Sequence, residues 1–101
     1  MNKIITTEEF HKIKASSGTF IIKISANWCN PCKVLASNIN DLSEELQNLF
    51  FEVDADEAEE DLIDLLNVRN IPTLILYKNG IEHKRSTGVL SVEDLIKFIN
   101  D

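Results

Sequence analysis

Both cysteines of this chain fall within Trp28 to Lys33, WCNPCK, separated by Asn30 and Pro31. Two thiols at i and i+3 can close to a disulfide and reopen, supply half of a tetrahedral metal site, or anchor a covalent haem. On a helix, positions three apart share a face with β-carbons about 5–6 Å apart, and a small adjustment then lets the sulfurs bond. Pro31 suits the first turn of such a helix, where its missing N–H loses nothing. A helix beginning here places unpaired N–H groups and the positive end of the helix dipole beside Cys29, which lowers the pH at which its thiolate forms. Cys29 is therefore the expected nucleophile. Cys32, one turn further in and more covered, is expected to keep its proton until a mixed disulfide has formed, then to resolve it by attacking Cys29.

The competing chemistries find less support. Zinc would need two more ligands, and His11 and His83 do not follow the cysteines at finger-like spacing. They read as surface residues. Covalent haem needs histidine directly after the second cysteine, where Lys33 stands. A cluster shared between two subunits stays open, with no further ligand in the sequence to support it. No metal and no organic cofactor is expected.

The elements that must position the pair follow from periodicity. Thr6-x-x-Glu9 fits a capping box, and Phe10 and Ile13 lie on one face behind it, which predicts a short helix ending near Ser16 to Gly18. Ile4 and Ile5 precede it as a possible short strand. Thr19 to Ala26, TFIIKISA, is β-branched and nearly continuous in hydrophobicity, as a central strand covered on both faces would be, with Lys23 its one anomaly. Leu35, Ile39, Leu42, Leu46 and Leu49 recur at spacings of four, three, four and three, which predicts one long amphipathic helix from Pro31 to about Asn48. Phe50 to Ala55 reads as a second buried strand. The acidic run Asp54 to Asp61 reads as a solvated loop and the negative first turn of the next helix, which Leu62, Ile63, Leu65 and Leu66 carry onto the core. Thr73 to Tyr77 and Ile81 to Thr87 flank Asn79-Gly80, a strong hairpin signal, the second strand being a polar edge. Ser91 and Asp94 cap a last helix whose expected stripe is Val92, Leu95, Ile96 and Ile99. The order β-α-β-α-β-α-β-β-α implies an α/β fold: a central mixed sheet of four to five strands flanked by four helices.

With 101 residues, 44% of them apolar, one domain spanning 1–101 with one core is expected. Ten basic and 17 acidic side chains give a net charge of −7, the wrong sign for general attraction to nucleic acid or an anionic membrane. The opening MNKIITTEEF carries charge where a secretory segment needs continuous hydrophobics, so a cytoplasmic location is expected. In a reducing compartment a lone close cysteine pair is catalytic or metal-binding more readily than structural.

WCNPCK after a buried strand, Ile71-Pro72-Thr73, Lys78-Asn79-Gly80 and Gly88 after the hairpin together resemble the thioredoxin family, over essentially the whole chain. The resemblance implies a thioredoxin fold and a small thiol–disulfide oxidoreductase. Such a protein reduces disulfides in protein substrates through reversible Cys29–Cys32 pairing and is recharged by a thioredoxin-reductase-like donor. It implies a cis peptide before Pro72, and backbone groups of Ile71 and Thr73 offered to an extended substrate segment. Trp28 would shield the disulfide and supply flat apolar contact area. Asn30, Pro31 and Gly88 would complete the substrate-binding surface. A monomer is expected.

Three departures from the family pattern stand out. Asn30 replaces the usual glycine, which bears on the redox potential. Ser37 stands where a helix-kinking proline is usual, so a straighter helix is expected. Lys23 occupies the place of a buried aspartate and Glu52 that of its lysine partner, which implies the same pair with its signs exchanged. An unpartnered buried lysine is too costly, so Lys23 and Glu52 are expected to face each other behind Cys32, unless Lys23 snorkels to solvent. The proton acceptor for Cys32 would then be Glu52, directly or through water, and Lys23 would favour the Cys32 thiolate. Two other functions fit the same residues: a protein-binding module with incidental redox activity, and a more oxidising oxidase or isomerase.

Overall fold

A computed structural model of the chain describes residues 1–16 and 18–101. The elements in order are β1 (Asn2–Lys3), α1 (Thr7–Ala15), β2 (Thr19–Ser25), α2 (Asn30–Asn40), α3 (Glu44–Gln47), β3 (Phe50–Asp54), α4 (Glu60–Leu66), β4 (Thr73–Lys78), β5 (Ile81–Thr87) and α5 (Val92–Asn100). The described strands form one mixed sheet in the order β1-β3-β2-β4-β5. β2 runs parallel to β3 and antiparallel to β4, and β4 pairs antiparallel with β5, so β2 is central and β5 an edge.

Side chains alternate across a strand, and β2 shows both faces at work. Phe20, Ile22 and Ile24 enter one core with Phe10, Val53, Leu62, Leu66, Ile75 and Tyr77, beneath α1 and α4. Ile21 enters the other with Leu35, Ile39, Phe50, Leu74, Leu76, Leu95 and Phe98, beneath α2 and α5. Ile21, Ile22, Leu35 and Leu74 are fully buried, each stabilising the fold by about 2 kcal/mol relative to exposure. The Thr6–Glu9 capping box is complete at α1. The expected end of that helix falls partly on Ser17, which lies outside the described residues; α1 itself stops at Ala15 with Ser16 as its cap. Asn79 (φ 51°) and Gly80 (φ 80°) turn the β4–β5 hairpin through left-handed conformations that tight hairpins require.

The mixed α/β sheet with its closing antiparallel hairpin matches the expectation, and four details differ. The single helix expected from Pro31 to Asn48 is two, which makes five described helices where four were expected. α2 passes unbroken through Ser37 and stops at Asn40. Ser43 starts α3 by accepting a hydrogen bond from the Leu46 amide at 3.3 Å, and Gln47 Nε2 donates to the carbonyls of Leu42 (2.7 Å) and Asn40 (3.1 Å). These side chains satisfy backbone groups that a continuous helix would pair internally, and so stabilise the break. The first strand is Asn2–Lys3, not Ile4–Ile5; the Ile4 amide donates to the Glu52 carbonyl at 2.8 Å and its side chain is buried, whereas Ile5 is exposed. Leu65 and Ile96 are exposed and Phe98 is buried: the inward face of α5 centres on Leu95, Phe98 and Ile99, which turns Ile96 out to its edge. Asp54, placed in a solvated run by composition, is buried at the end of β3.

Candidate active site

β2 ends at Ser25 in the middle of the sheet, and the chain turns through Ala26 to Trp28 directly into α2. Cys29 is the N-cap of α2, Asn30 its first residue, Pro31 follows in the first turn, and Cys32 completes that turn. The two sulfurs are bonded, with Cα atoms 5.3 Å apart. Cys29 Sγ accepts a hydrogen bond from the Cys32 amide at 3.3 Å. The sulfur thus takes the position of an N-cap oxygen, against one of the orphan N–H groups of an 11-residue helix, where negative charge is favoured. Both cysteines are closed to solvent, 5% exposed at Cys29 and 2% at Cys32, so Cys32 is the more covered by a small margin. Cys32 shares the buried face of α2 with Leu35 and Ile39, and both cysteines pack with Ala26 and Ile71.

The other loops at this end of the sheet bring the remaining expected residues. The Ile71–Pro72 peptide is cis. The Pro72 carbonyl accepts from the Gly88 amide at 2.9 Å, which joins the entry to β4 with the exit from β5. Gly88 has φ 94°, a left-handed conformation that glycine accepts readily. Thr73 lies within the sheet, opposite Ile24 of β2 and Thr87 of β5, and its hydroxyl donates to the Asn70 carbonyl at 2.5 Å. Ile71, outside β4, has neither backbone group hydrogen-bonded to another backbone group among the described residues. The open backbone therefore lies at Ile71 and not at Thr73. Trp28 is 69% exposed, which excludes core packing, and its indole N–H donates to Asp56 at 2.8 Å. Asn30 is exposed at the same rim.

Behind the pair lies a polar row. Lys23 and Ser25 alternate with Ile22 and Ile24 and so share the face of Ile21, under α2. Their register partners on β3 are Glu52 and Asp54. Lys23 is 3% exposed, and its ammonium lies 3.9 Å from Glu52 Oε1. Burial pushes the Lys23 ammonium below the ordinary lysine range, and the Glu52 carboxylate opposes that shift without cancelling it. The pair with exchanged signs is thus present, and Lys23 does not snorkel.

Three participants went unread in the sequence. Ser25 donates to Glu52 Oε1 at 2.8 Å. Asp54 accepts from the amides of Asp56 (2.9 Å) and Glu57 (3.3 Å), which fixes the loop from which Asp56 holds Trp28. The period of two that starts at Lys23 puts Ser25 on the same face, but its role shows only once its partner Glu52 is seen. Asp54 and Asp56 sit in an acidic run whose composition resembles any solvated loop. His11 and His83 are exposed on α1 and β5, and the described residues hold no group of three His, Cys, Asp or Glu placed for a metal.

A buried, reversibly bonded dithiol at a helix start, beside an open peptide edge, suits exchange with a disulfide in another polypeptide. Known proteins agree. The thioredoxin family profile matches residues 2–101. A thioredoxin of Chlamydia trachomatis is 36% identical over 99% of this chain and 97% of its own length. Mitochondrial thioredoxin 3 of Saccharomyces cerevisiae, in its oxidised form, superposes with a TM-score of 0.88 at 26% identity, covering 100% of this chain and 94% of that one. Plasmodium falciparum thioredoxin superposes with a TM-score of 0.86 at 27% identity, covering 98% and 96%. The cysteine pair, the sheet that presents it and these full-length likenesses lead to one conclusion: the chain belongs to the thioredoxin family and is a dithiol protein-disulfide oxidoreductase.

Proposed function

We propose that the protein works as a reductant of protein disulfides in the cytoplasm, as a monomer that a thioredoxin-reductase-like donor recharges, and so carries electrons that maintain the redox state of the cell. The observation that carries this reading is the hydrogen bond from the Cys32 amide to Cys29 Sγ at 3.3 Å. It makes Cys29 the better-stabilised thiolate of the pair.

The Cys29 thiolate attacks one sulfur of the substrate disulfide, forming a mixed disulfide and releasing the first substrate thiolate. Cys32 then loses its proton to Glu52, directly or through water, and its sulfur attacks Cys29. The Cys29–substrate bond breaks and the second substrate thiolate leaves. Two electrons pass to the substrate, and two protons complete its thiols. Lys23 lowers the cost of the transient Cys32 thiolate by its charge. Ile71 and Thr73, the latter chiefly through its place in the sheet, flank Pro72 and hold the substrate segment extended, and Gly88, Trp28, Asn30 and Pro31 form the surrounding contact surface. The exposed Trp28 and Val89 supply apolar area for this.

Insulin reduction with dithiothreitol tests the reading. Turnover by the wild-type protein that disappears in Cys29→Ser is expected, with Cys32→Ser accumulating mixed disulfide. Insulin reduction no faster than dithiothreitol alone would refute the reading and favour a protein-binding role for the Trp28 surface.

A further inference from the structure

Ser25 is the last residue of β2, 3% exposed, and it precedes Ala26, which packs on both cysteines. Its hydroxyl donates at 2.8 Å to Glu52 Oε1, the same oxygen that lies 3.9 Å from Lys23 Nζ. The Glu52 side chain is 23% exposed, so it has a choice between the polar row and water, where a carboxylate is well solvated. The ammonium is too distant for a hydrogen bond and attracts the carboxylate without fixing its direction. The serine hydrogen bond is short and directional.

We propose that Ser25 is a positioning residue for the resolving step: it holds the Glu52 carboxylate inward, on the face under α2, with Oε1 occupied and Oε2 left to receive the Cys32 proton. The inference rests on the reading of Glu52 as that acceptor. In the step, the Cys32 S–H bond breaks, the proton passes to Oε2 directly or through one water, the Cys32–Cys29 bond forms, and the bond between Cys29 and the substrate sulfur breaks. Charged neighbours of Glu52 are Lys23 on β2, Lys3 opposite it on β1, and Asp54 further along β3; α2 contributes one charged residue, the exposed Lys33. Lys3 is engaged with Glu57 at 3.4 Å, and Asp54 with backbone amides, which leaves Ser25 as the hydrogen-bond donor to Glu52 Oε1 among the described residues.

The test uses Cys29 loaded with thionitrobenzoate as a mixed disulfide, and stopped-flow absorbance to follow release of the thionitrobenzoate anion as Cys32 resolves it. Ser25→Ala is expected to slow release roughly tenfold near neutral pH, the scale of a hydrogen bond to a charged group. The deficit should shrink above about pH 8.5, where an unassisted thiol ionises by itself. Ser25→Thr, which keeps the hydroxyl, should restore much of the rate, and Ser25→Ala should add nothing in a Glu52→Gln background. Wild-type rates in Ser25→Ala beside a slowed Glu52→Gln would overturn the serine's role and leave the acceptor standing. A deficit equal at every pH, or one that adds to that of Glu52→Gln, would also overturn it. An unchanged profile in Glu52→Gln would remove the acceptor and this inference together.

Discussion

Lys23 carries the clearest energetic consequence of any single residue. A buried ammonium 3.9 Å from one carboxylate oxygen gains less from its partner than it loses in hydration, which is why its proton is held below the usual 10.5. The unfolded chain keeps that proton up to about 10.5, whereas the folded chain releases it earlier. Over that interval the folded state binds fewer protons, so stability rises with pH; the penalty is complete below the folded value and gone above the unfolded one. Lys23→Met should flatten this rise in urea-denaturation free energies measured on approach to pH 10.5, and an unaltered slope would show that another group causes it. The same variant, and Lys23→Ala, should resolve mixed disulfides roughly threefold to tenfold more slowly, the scale of one nearby charge at intermediate dielectric. Trapping no more mixed disulfide than the wild-type protein would count against that electrostatic role. The cysteines were legible from their spacing and Lys23 as a charge inside an apolar run, whereas Pro72 and the pairing of Lys23 with Glu52 were legible through the resemblance to the thioredoxin family. Ser25 offers no such signal, since a serine at a strand end is unremarkable until its partner is known.

Elements were legible wherever a periodic stripe coincided with caps, as in α1, β2 and the hairpin. The break between α2 and α3 was hidden because its leucines keep helical spacing across the turn. Leu42 sits in the turn itself and still joins the core. Ser43 followed by Glu44 and Glu45 was the available signal, an N-cap with acids in the first turn. The hairpin offers a direct comparison of two glycines. A β-carbon on Gly80 would stand 2.8 Å from the Lys14 carbonyl at φ 80°, whereas one on Gly88 at φ 94° meets nothing within 4 Å. Gly80→Ala should therefore cost about 2–4 kcal/mol in urea denaturation and Gly88→Ala about 1–2 kcal/mol, the backbone penalty alone. Equal losses would mean that α1 and the hairpin yield to each other without cost.

The whole molecule is a sheet with two cores, and its alkaline limit should come from the core opposite the cysteines. Tyr77 stacks on Phe20 with ring centroids 4.8 Å apart and meets Phe10 edge-on at 5.6 Å. Burial, reinforced by Glu82, pushes its phenol up to about 12 from 10.0. The folded state then holds a proton that the unfolded state gives up, so the contribution of Tyr77 is intact below pH 10.0 and is lost as pH climbs toward 12, about 3 kcal/mol in all. Tyr77→Phe should resist unfolding in that range better than wild type, by fluorescence of Trp28, and equal alkaline midpoints would refute this. The mixed sheet and the placing of helices on both faces followed from the alternation of strand and helix patterns, while the order of strands within the sheet and burial of individual helix faces needed the packed structure. The purpose of that packing is an asymmetry between two neighbouring sulfurs, and rates of alkylation test it most directly. With the reduced protein and iodoacetamide, read by peptide mass spectrometry across pH, Cys29 should react with a midpoint well below about 8.5 and roughly tenfold or more ahead of Cys32 at neutral pH. Equal rates at the two positions, with Cys29 titrating near 8.5, would contradict the account.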